Sequence, residues 1–313
     1  MRKRGISWLP LAFLFLLYST TALQASSSLV FPRISSQPDT LTGLAIANLS
    51  EETATVTLTA YGNDGAILTG PGFTNPATLS IPSNEQVARL VSEVFAGSFP
   101  SDTIAWIHLT SPTDALTGFF LFLNGSLTEL DGADLPEADT QIIFNTVQVG
   151  SGFSTELNLV NTAAVETVAT LTLIRAGDSS EIAKELTLAS HGVERLDAGT
   201  FFGLDSLAPG SYLRVSTDGG AVAGLEFVRS TGGDLLGLNA RKADEKLQNL
   251  FFPQMVASGP WKTELGLVNY SNAPQLVTVY AHKPDGTLYG AGDVTSNPVS
   301  RGLDPNQSLL LDV

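Results

Sequence analysis

Cysteine is absent from all 313 residues. That excludes a disulfide-stapled secreted scaffold, thiolate metal sites and thiol nucleophiles. Any folded unit must therefore stand on its apolar core, and 43% hydrophobic residues supply the material for one. Charge is also scarce, at 15% of residues against roughly 25% in an average soluble protein. Ser, Thr, Asn, Gln and Gly must then cover the surface. Positive charge is the scarcest, with 16 Lys and Arg against 31 Asp and Glu and a net charge of −15. Loss of Arg2, Lys3 and Arg4 with a leader would bring the net charge nearer −18. Such a body repels phosphate backbones and anionic head groups, so nucleic acid is not expected as a partner. Divalent cations are compatible with it.

The first residues run basic, apolar, then small. Met1-Arg2-Lys3-Arg4 precedes an apolar run from Trp8 to Tyr18, followed by Ser19, Thr20, Thr21 and Ala22. This is the order of a secretory signal peptide, assigned here to 1–25, with cleavage after Ala22 or Ala25. The run is too short for a membrane span of about 20 residues, and no other segment is long and apolar enough, so no span is expected once the signal is removed. The location expected is extracellular or at the cell surface, with the periplasm as an alternative.

The chain repeats itself. Phe31-Pro32-Arg33 leads to Leu41-Thr42-Gly43-Leu44-Ala45-Ile46-Ala47-Asn48. Phe144-Asn145-Thr146 leads to Ser154-Thr155-Glu156-Leu157-Asn158-Leu159-Val160-Asn161, and Phe252-Pro253-Gln254 leads to Lys262-Thr263-Glu264-Leu265-Gly266-Leu267-Val268-Asn269. The Phe, Thr and Asn series all keep shifts of 113 and then 108 residues. Thr55 to Gly65 matches Leu276 to Gly286, while Trp106 matches Tyr212 and Gly118 matches Gly224. Three units follow, 28–138, 139–249 and 250–313, the last incomplete.

Within each unit apolar residues alternate with Thr, Ser and Asn at period two, as in Thr57-Leu58-Thr59-Ala60-Tyr61, which predicts strands. Asn63-Asp64-Gly65 and Pro284-Asp285-Gly286 predict hairpin turns. Pro82, Pro112 and Pro305 fall at strand edges or turns. Helical spacing of Val87, Leu90, Val91 and Val94 predicts a short helix over 84–95, and a second is expected over 241–247 as a connector. The pattern implies an all-β chain of tandem antiparallel β-sandwich (Ig-like) modules, the third partial. A propeller is disfavoured because blade repeats run about 40–50 residues, against a period near 110 here.

The Phe-Pro start, the Thr-Glu-Leu-x-Leu-Val-Asn phrase, the Thr/Val strand and the Asp-Gly turn resemble Ig-like or fibronectin type III-like modules of exported bacterial proteins. The resemblance covers nearly all of the mature chain and implies an extracellular module of unassigned function. The first copy departs from it, with Leu41-Thr42-Gly43 in the motif position. It carries over no functional residues.

The search for chemistry finds little. His108, His191 and His282 do not recur between copies and have no zinc spacing. No G-x-S-x-G, P-loop or dinucleotide pattern occurs, so no catalytic or cofactor-binding residue is assigned. Asp131, Asp134, Glu137 and Asp139, in the link between the first two copies, carry the oxygens calcium prefers and are the metal candidates. Trp106 and Trp261 are the candidates for stacking on a sugar, with packing as the competing role. Asn48, Asn124, Asn269 and Asn306 stand in glycosylation sequons, yet Asn48 and Asn269 align with Asn161, which indicates a strand-end turn role.

An incomplete third unit would expose a strand edge, open to strand exchange with another chain. The function expected is that of a non-catalytic exported structural or adhesive protein meeting a protein or glycan at a surface. The alternatives are carbohydrate binding through exposed aromatics and a secreted hydrolase with dispersed carboxylates.

Overall fold

The computed structural model describes residues 27–34, 39–100, 102–245, 247–253, 255–256, 263–290 and 296–312. The expected signal peptide and Trp261 lie outside these residues. Among them, regular structure is strand apart from two short helices, α1 (Val91–Val94) and α2 (Ala198–Phe202). No helix among them is long and apolar enough to cross a membrane.

The first sequence copy forms β1 (Ser27–Phe31), β2 (Thr40–Asn48), β3 (Ala54–Gly62), β4 (Ala77–Ile81), β5 (Gln86–Leu90), β6 (Ala105–Ser111), β7 (Leu116–Asn124) and β8 (Leu130–Asp134). These are dealt into sheet 1, ordered β5-β2-β7-β8, and sheet 2, ordered β1-β6-β3-β4. The second forms β9 (Gln141–Phe144), β10 (Phe153–Asn161), β11 (Thr167–Ile174), β12 (Glu181–Leu188), β13 (Val193–Asp197), β14 (Tyr212–Thr217), β15 (Val222–Ser230), β16 (Leu235–Asn239) and β17 (Arg241–Lys242). They give sheet 3, β13-β10-β15-β16, and sheet 4, β12-β11-β14-β9-β17. The third adds β18 (Glu264–Val268), β19 (Gln275–Val279), β20 (Val299–Leu303) and β21 (Ser308–Asp312), as the pairs β18-β21 and β19-β20.

Period-two alternation sorts each strand. In β3, Val56, Leu58 and Ala60 are fully buried while Thr57 and Thr59 face the other side. One core lies between sheets 1 and 2, around Ile46, Leu58, Ile107 and Phe120. Another lies between sheets 3 and 4, around Leu157, Leu171, Leu173 and Leu213. The turn expectations hold: Gly65 and Gly286 sit at φ 77° and 83°, closing turns through bonds to Gly62 and Lys283.

The expected class of tandem Ig-like β-sandwich modules is corrected. The sheets are disposed as four blades in a propeller-like arrangement, not as tandem free-standing Ig-like globules. A free-standing module would leave the outer face of each sheet to water, but sheet 2 buries Val30 and Trp106 on its outer side against Val160, Val193 and Ala223 of sheet 3. Strand β15 is buried on both faces over Val222–Val228, and its Leu225 and Phe227 belong to the core of the first copy. The length criterion misled because each copy feeds two blades, giving about 55 residues per blade. Strand order within a blade is not sequential, so no blade is spelled by a contiguous stretch of sequence.

Both helix expectations are also corrected. Residues 86–90 form β5, paired with β2 through Ala45 and Ala88, and only Val91–Val94 turn into helix. The edge of a half-formed sheet offered more backbone bonds than one isolated helical turn. Arg241 and Lys242 pair with Ile143 and Ile142, so the expected connector helix begins as a strand.

Glu226 on β15 is a fully buried acid inside this framework. It shares its strand face with Gly224, whose missing Cβ would meet Phe144, Ala240 and Ile142 of the interior between sheets 3 and 4. Among the described residues neither carboxylate oxygen meets a partner at full hydrogen-bond geometry. Burial drives its pKa well above 4.5, and the Thr146 backbone amide opposes this only in part. A folded pKa above the unfolded one gives stability that is present below pH 4.5 and lost as pH rises through the folded value. Above pH 4.5, denaturant midpoints of the wild type are therefore expected to fall more steeply with pH than those of Glu226→Gln. Parallel pH profiles would contradict this.

Candidate functional site: the seam between the first and second sequence copies

The densest polar chemistry lies where sheets 1 and 2 meet sheet 3. Glu156 and Asn158 alternate along β10, with Phe227 of β15 opposite Glu156 and Arg195 of β13 opposite Asn158. Arg33, just past β1, reaches across from the first copy. Its Nε donates to Glu156 Oε1 at 2.6 Å and its Nη2 to Oε2 at 3.5 Å. Asn158 Nδ2 donates to Glu156 Oε1 at 3.0 Å. Arg195 Nε stands 3.7 Å from Glu156 Oε1, and its Nη2 donates to the Ile34 carbonyl at 3.3 Å.

The Arg33 side chain is 7% exposed. Its guanidinium lies 4.3 Å from the Phe122 ring centre and 5.3 Å from that of Phe227, a cation–π pocket shared by the two copies. Arg229 closes the far side at 5.6 Å from Phe122 and donates to Glu129 at 2.7 Å. Burial works against ionising Glu156. The charge and hydrogen bond of Arg33, then Arg195 and Asn158, outweigh it and hold the carboxyl below 4.5. Burial, with the like charge of Arg33, lowers Arg195 to about 10 although Glu156 acts in the other direction.

The seam continues through Trp106. Its indole is fully buried and donates Nε1 to the His191 carbonyl at 2.8 Å. Tyr61 stacks on both, 5.2 Å from Trp106 and 5.1 Å from His191. Trp106 is therefore a joint residue, and its ring offers no platform for a sugar; Trp261 lies outside the described residues. The equivalent residue one copy on, Tyr212, repeats the gesture by donating its hydroxyl to the Asn306 carbonyl at 3.0 Å. His191 and Asn306 both sit in the left-handed region, at φ 55° and 60°.

The four acidic candidates for calcium are not gathered into one site. Asp131 accepts from the Gly237 amide and Asp134 from Asn239, joining β8 to β16 across the same seam. Glu137 pairs with Lys242, and Asp139 accepts from the Gln141 amide. Burial raises the Asp131 pKa against the pull of the Gly237 and Gly132 amides. Among the described residues no group of three or more His, Asp and Glu is placed to hold a metal. His108 and His191 are half-buried and His282 is exposed. Burial and the charge of His191 lower the His108 pKa, and His108 Nε2 lies 2.8 Å from Ser28 Oγ.

Sequence reasoning missed Arg33, Glu156 and Glu226. Two signals were available. Arg33 is a charge directly after Phe31-Pro32 where the second copy has Thr146, and Glu226 is a charge inside the apolar run Gly224 to Val228.

Backbone approach tightens the seam further. A Cβ on Gly65 would stand 1.7 Å from the Ser190 carbonyl oxygen, and Gly65 already has positive φ. Gly65→Ala is expected to cost about 1–2 kcal/mol from the backbone alone, with a further loss as the 190–192 loop is pushed away. Urea denaturation together with faster exchange of the Trp106 indole proton would report it; an unchanged indole signal would mean that the loops do not touch.

No curated protein matches the chain. A match does cover residues 17–295, so the chain belongs to a family described as one of unknown function, DUF5719.

Proposed function

We propose that this is a non-catalytic exported structural or adhesive protein, working at the cell surface or in the extracellular space. The observation that carries the reading is the use made of the charged seam. Arg33, Glu156, Asn158 and Arg195 bond to one another and to backbone across the copies, an arrangement suited to holding sheets together. The acids at the β8–β16 edge are likewise engaged in joining strands. A body with a surface rich in uncharged polar residues suits spacing or attachment outside the cell, where the basic, apolar, small N-terminal order would send it.

The test is surface labelling and attachment of the producing cells. Intact cells are expected to expose the protein to a membrane-impermeant label, and deletion of the gene to reduce attachment. Wild-type protein should restore attachment while Glu156→Ala, with its loosened seam, should not. Restriction to the cytoplasm, or turnover of a polymeric substrate by the purified protein, would overturn the reading.

A further inference from the structure

Two histidines stand at the ends of one chain of ring contacts that crosses the joint between the first and second copies. His108 and Trp106 lie on β6 and Tyr61 on β3, all in sheet 2. His191 lies in the loop between β12 and β13 of the second copy. The His108 ring is 5.6 Å from that of Trp106, Trp106 is 5.2 Å from Tyr61, and Tyr61 is 5.1 Å from His191. The bond from the Trp106 indole to the His191 carbonyl closes the joint. The surroundings are poor in counter-charge. Opposite His108 are Val30 on β1 and Thr59 on β3, and its Nε2 meets the Ser28 hydroxyl. Sheet 3 packs Val160, Val193 and Ala223 against Trp106. The segments packed on the stack carry three acids, each already engaged. Asp64, in the turn against the 190–192 loop, accepts from the Ala66 amide. Glu137 and Asp139 flank Ala138, which packs beside Trp106; the first pairs with Lys242 and the second accepts from the Gln141 amide. His191 Nδ1 is buried and has no partner among the described residues.

We propose that this pair is an acid-sensitive latch on the joint: with the rings neutral the two copies stay closed on each other, and protonation of His108 opposite His191 loosens them. Both rings are half-buried, so a charge on either is poorly solvated, and two like charges on one stack repel. His108 sets the direction. Burial, then the charge of His191, hold its folded pKa below 6.5. The stability it lends is therefore fully present above pH 6.5 and lost as pH falls through the folded value. Two buried acids are separated from this effect. Glu156 is protonated only below 4.5, and Glu226 works in the other direction, adding stability as pH falls. The proposal is independent of the function proposed above.

The test reads Trp106 in the chain from Ser26 onward carrying Trp261→Phe, which leaves it the one tryptophan. Quenching of its fluorescence by acrylamide, a neutral probe, is expected to rise about threefold from neutral pH to about pH 5, with an unchanged far-ultraviolet spectrum. The midpoint should lie below 6.5. His108→Gln in the same background keeps a partner for Ser28 and cannot be charged, so its quenching should stay level. His191→Gln removes the opposing charge and should give a smaller rise. Proton magnetic resonance supplies a reading that needs no histidine variant: the His108 ring signal should titrate in step with the quenching. Quenching that stays level while the His108 ring titrates overturns the proposal. So does a rise that His108→Gln shares in full.

Discussion

Glu156→Ala is expected to lower the unfolding free energy by about 3–5 kcal/mol. The reason is what it leaves behind. Arg33 is 7% exposed and depends on Glu156 for both of its charge-assisted bonds. Arg195, already depressed to about 10 by burial and by Arg33, would then face a like charge without the intervening carboxylate. Removing one partner from a buried set costs far more than the set contributes as a whole, so the double replacement Arg33→Met with Glu156→Leu, which leaves only Arg195 of the three charges, is expected to cost less than Glu156→Ala alone. The single variant should also change the pH profile. The folded pKa of Glu156 is depressed, so its contribution is fully present above pH 4.5 and lost as pH falls through the folded value. The gap between wild type and Glu156→Ala should close in acid. Urea denaturation over a pH series measures both effects, and a gap that is constant with pH would assign the loss to packing and not to charge.

Asn161→Asp is the second large effect. Asn161 is fully buried, and its Nδ2 donates to the carbonyls of Val165, Leu188 and Ala189 at 2.8, 3.3 and 2.9 Å. Its Oδ1 accepts from the Ala163 amide at 3.0 Å. An aspartate keeps the acceptor and turns the donor into an oxygen facing three carbonyls. It must either bury a charge among them or take up a proton, and about 3 kcal/mol or more is expected to be lost at neutral pH. Part should return in acid as the carboxyl protonates. Asn48 and Asn269 make the same bonds, to Glu52, Ile81 and Pro82 and to Ala273, Leu303 and Asp304, so all three Asp variants should behave alike in kind. Thermal melts of the three check this. A tolerated Asn161→Asp, within about 0.5 kcal/mol of wild type, would mean that the strand end is held by backbone bonds alone. The same geometry makes Asn48 and Asn269 poor glycan acceptors once folded, because their Nδ2 atoms are already committed.

Those asparagines show what could be read in advance. A residue that recurs in one register and sits at the end of a Thr/Val strand has a local job, and its partners lie within its own copy. Thr155 and Thr263 are similar: each hydroxyl locks the loop before its strand, to Gln148 and Val256. Strand content and the Gly65 and Gly286 turns were legible for the same reason, since period two and positive φ are local demands. The assembly of the sheets was not legible. Alternation tells which residues share a face, but when both faces are buried, as along β15, it does not tell what covers each one. Trp106 could be recognised as the equivalent of Tyr212, yet the sequence does not say that its indole reaches a carbonyl 85 positions away. Arg33 and Glu156 lie 123 positions apart, and no period links them. Asp131 and Asp134 looked like a cation cluster because they are near in sequence; the fold turns them toward β16 instead.

Native-state hydrogen exchange is the most direct test of the idea that the first two sequence copies make one body. If the seam unites them, the slowest amides of β6 and of β15 should open with the same free energy and the same dependence on denaturant, and Glu156→Ala should uncouple them. Separate opening free energies for β6 and β15 in the wild-type chain would contradict a single body and return the copies to independent units.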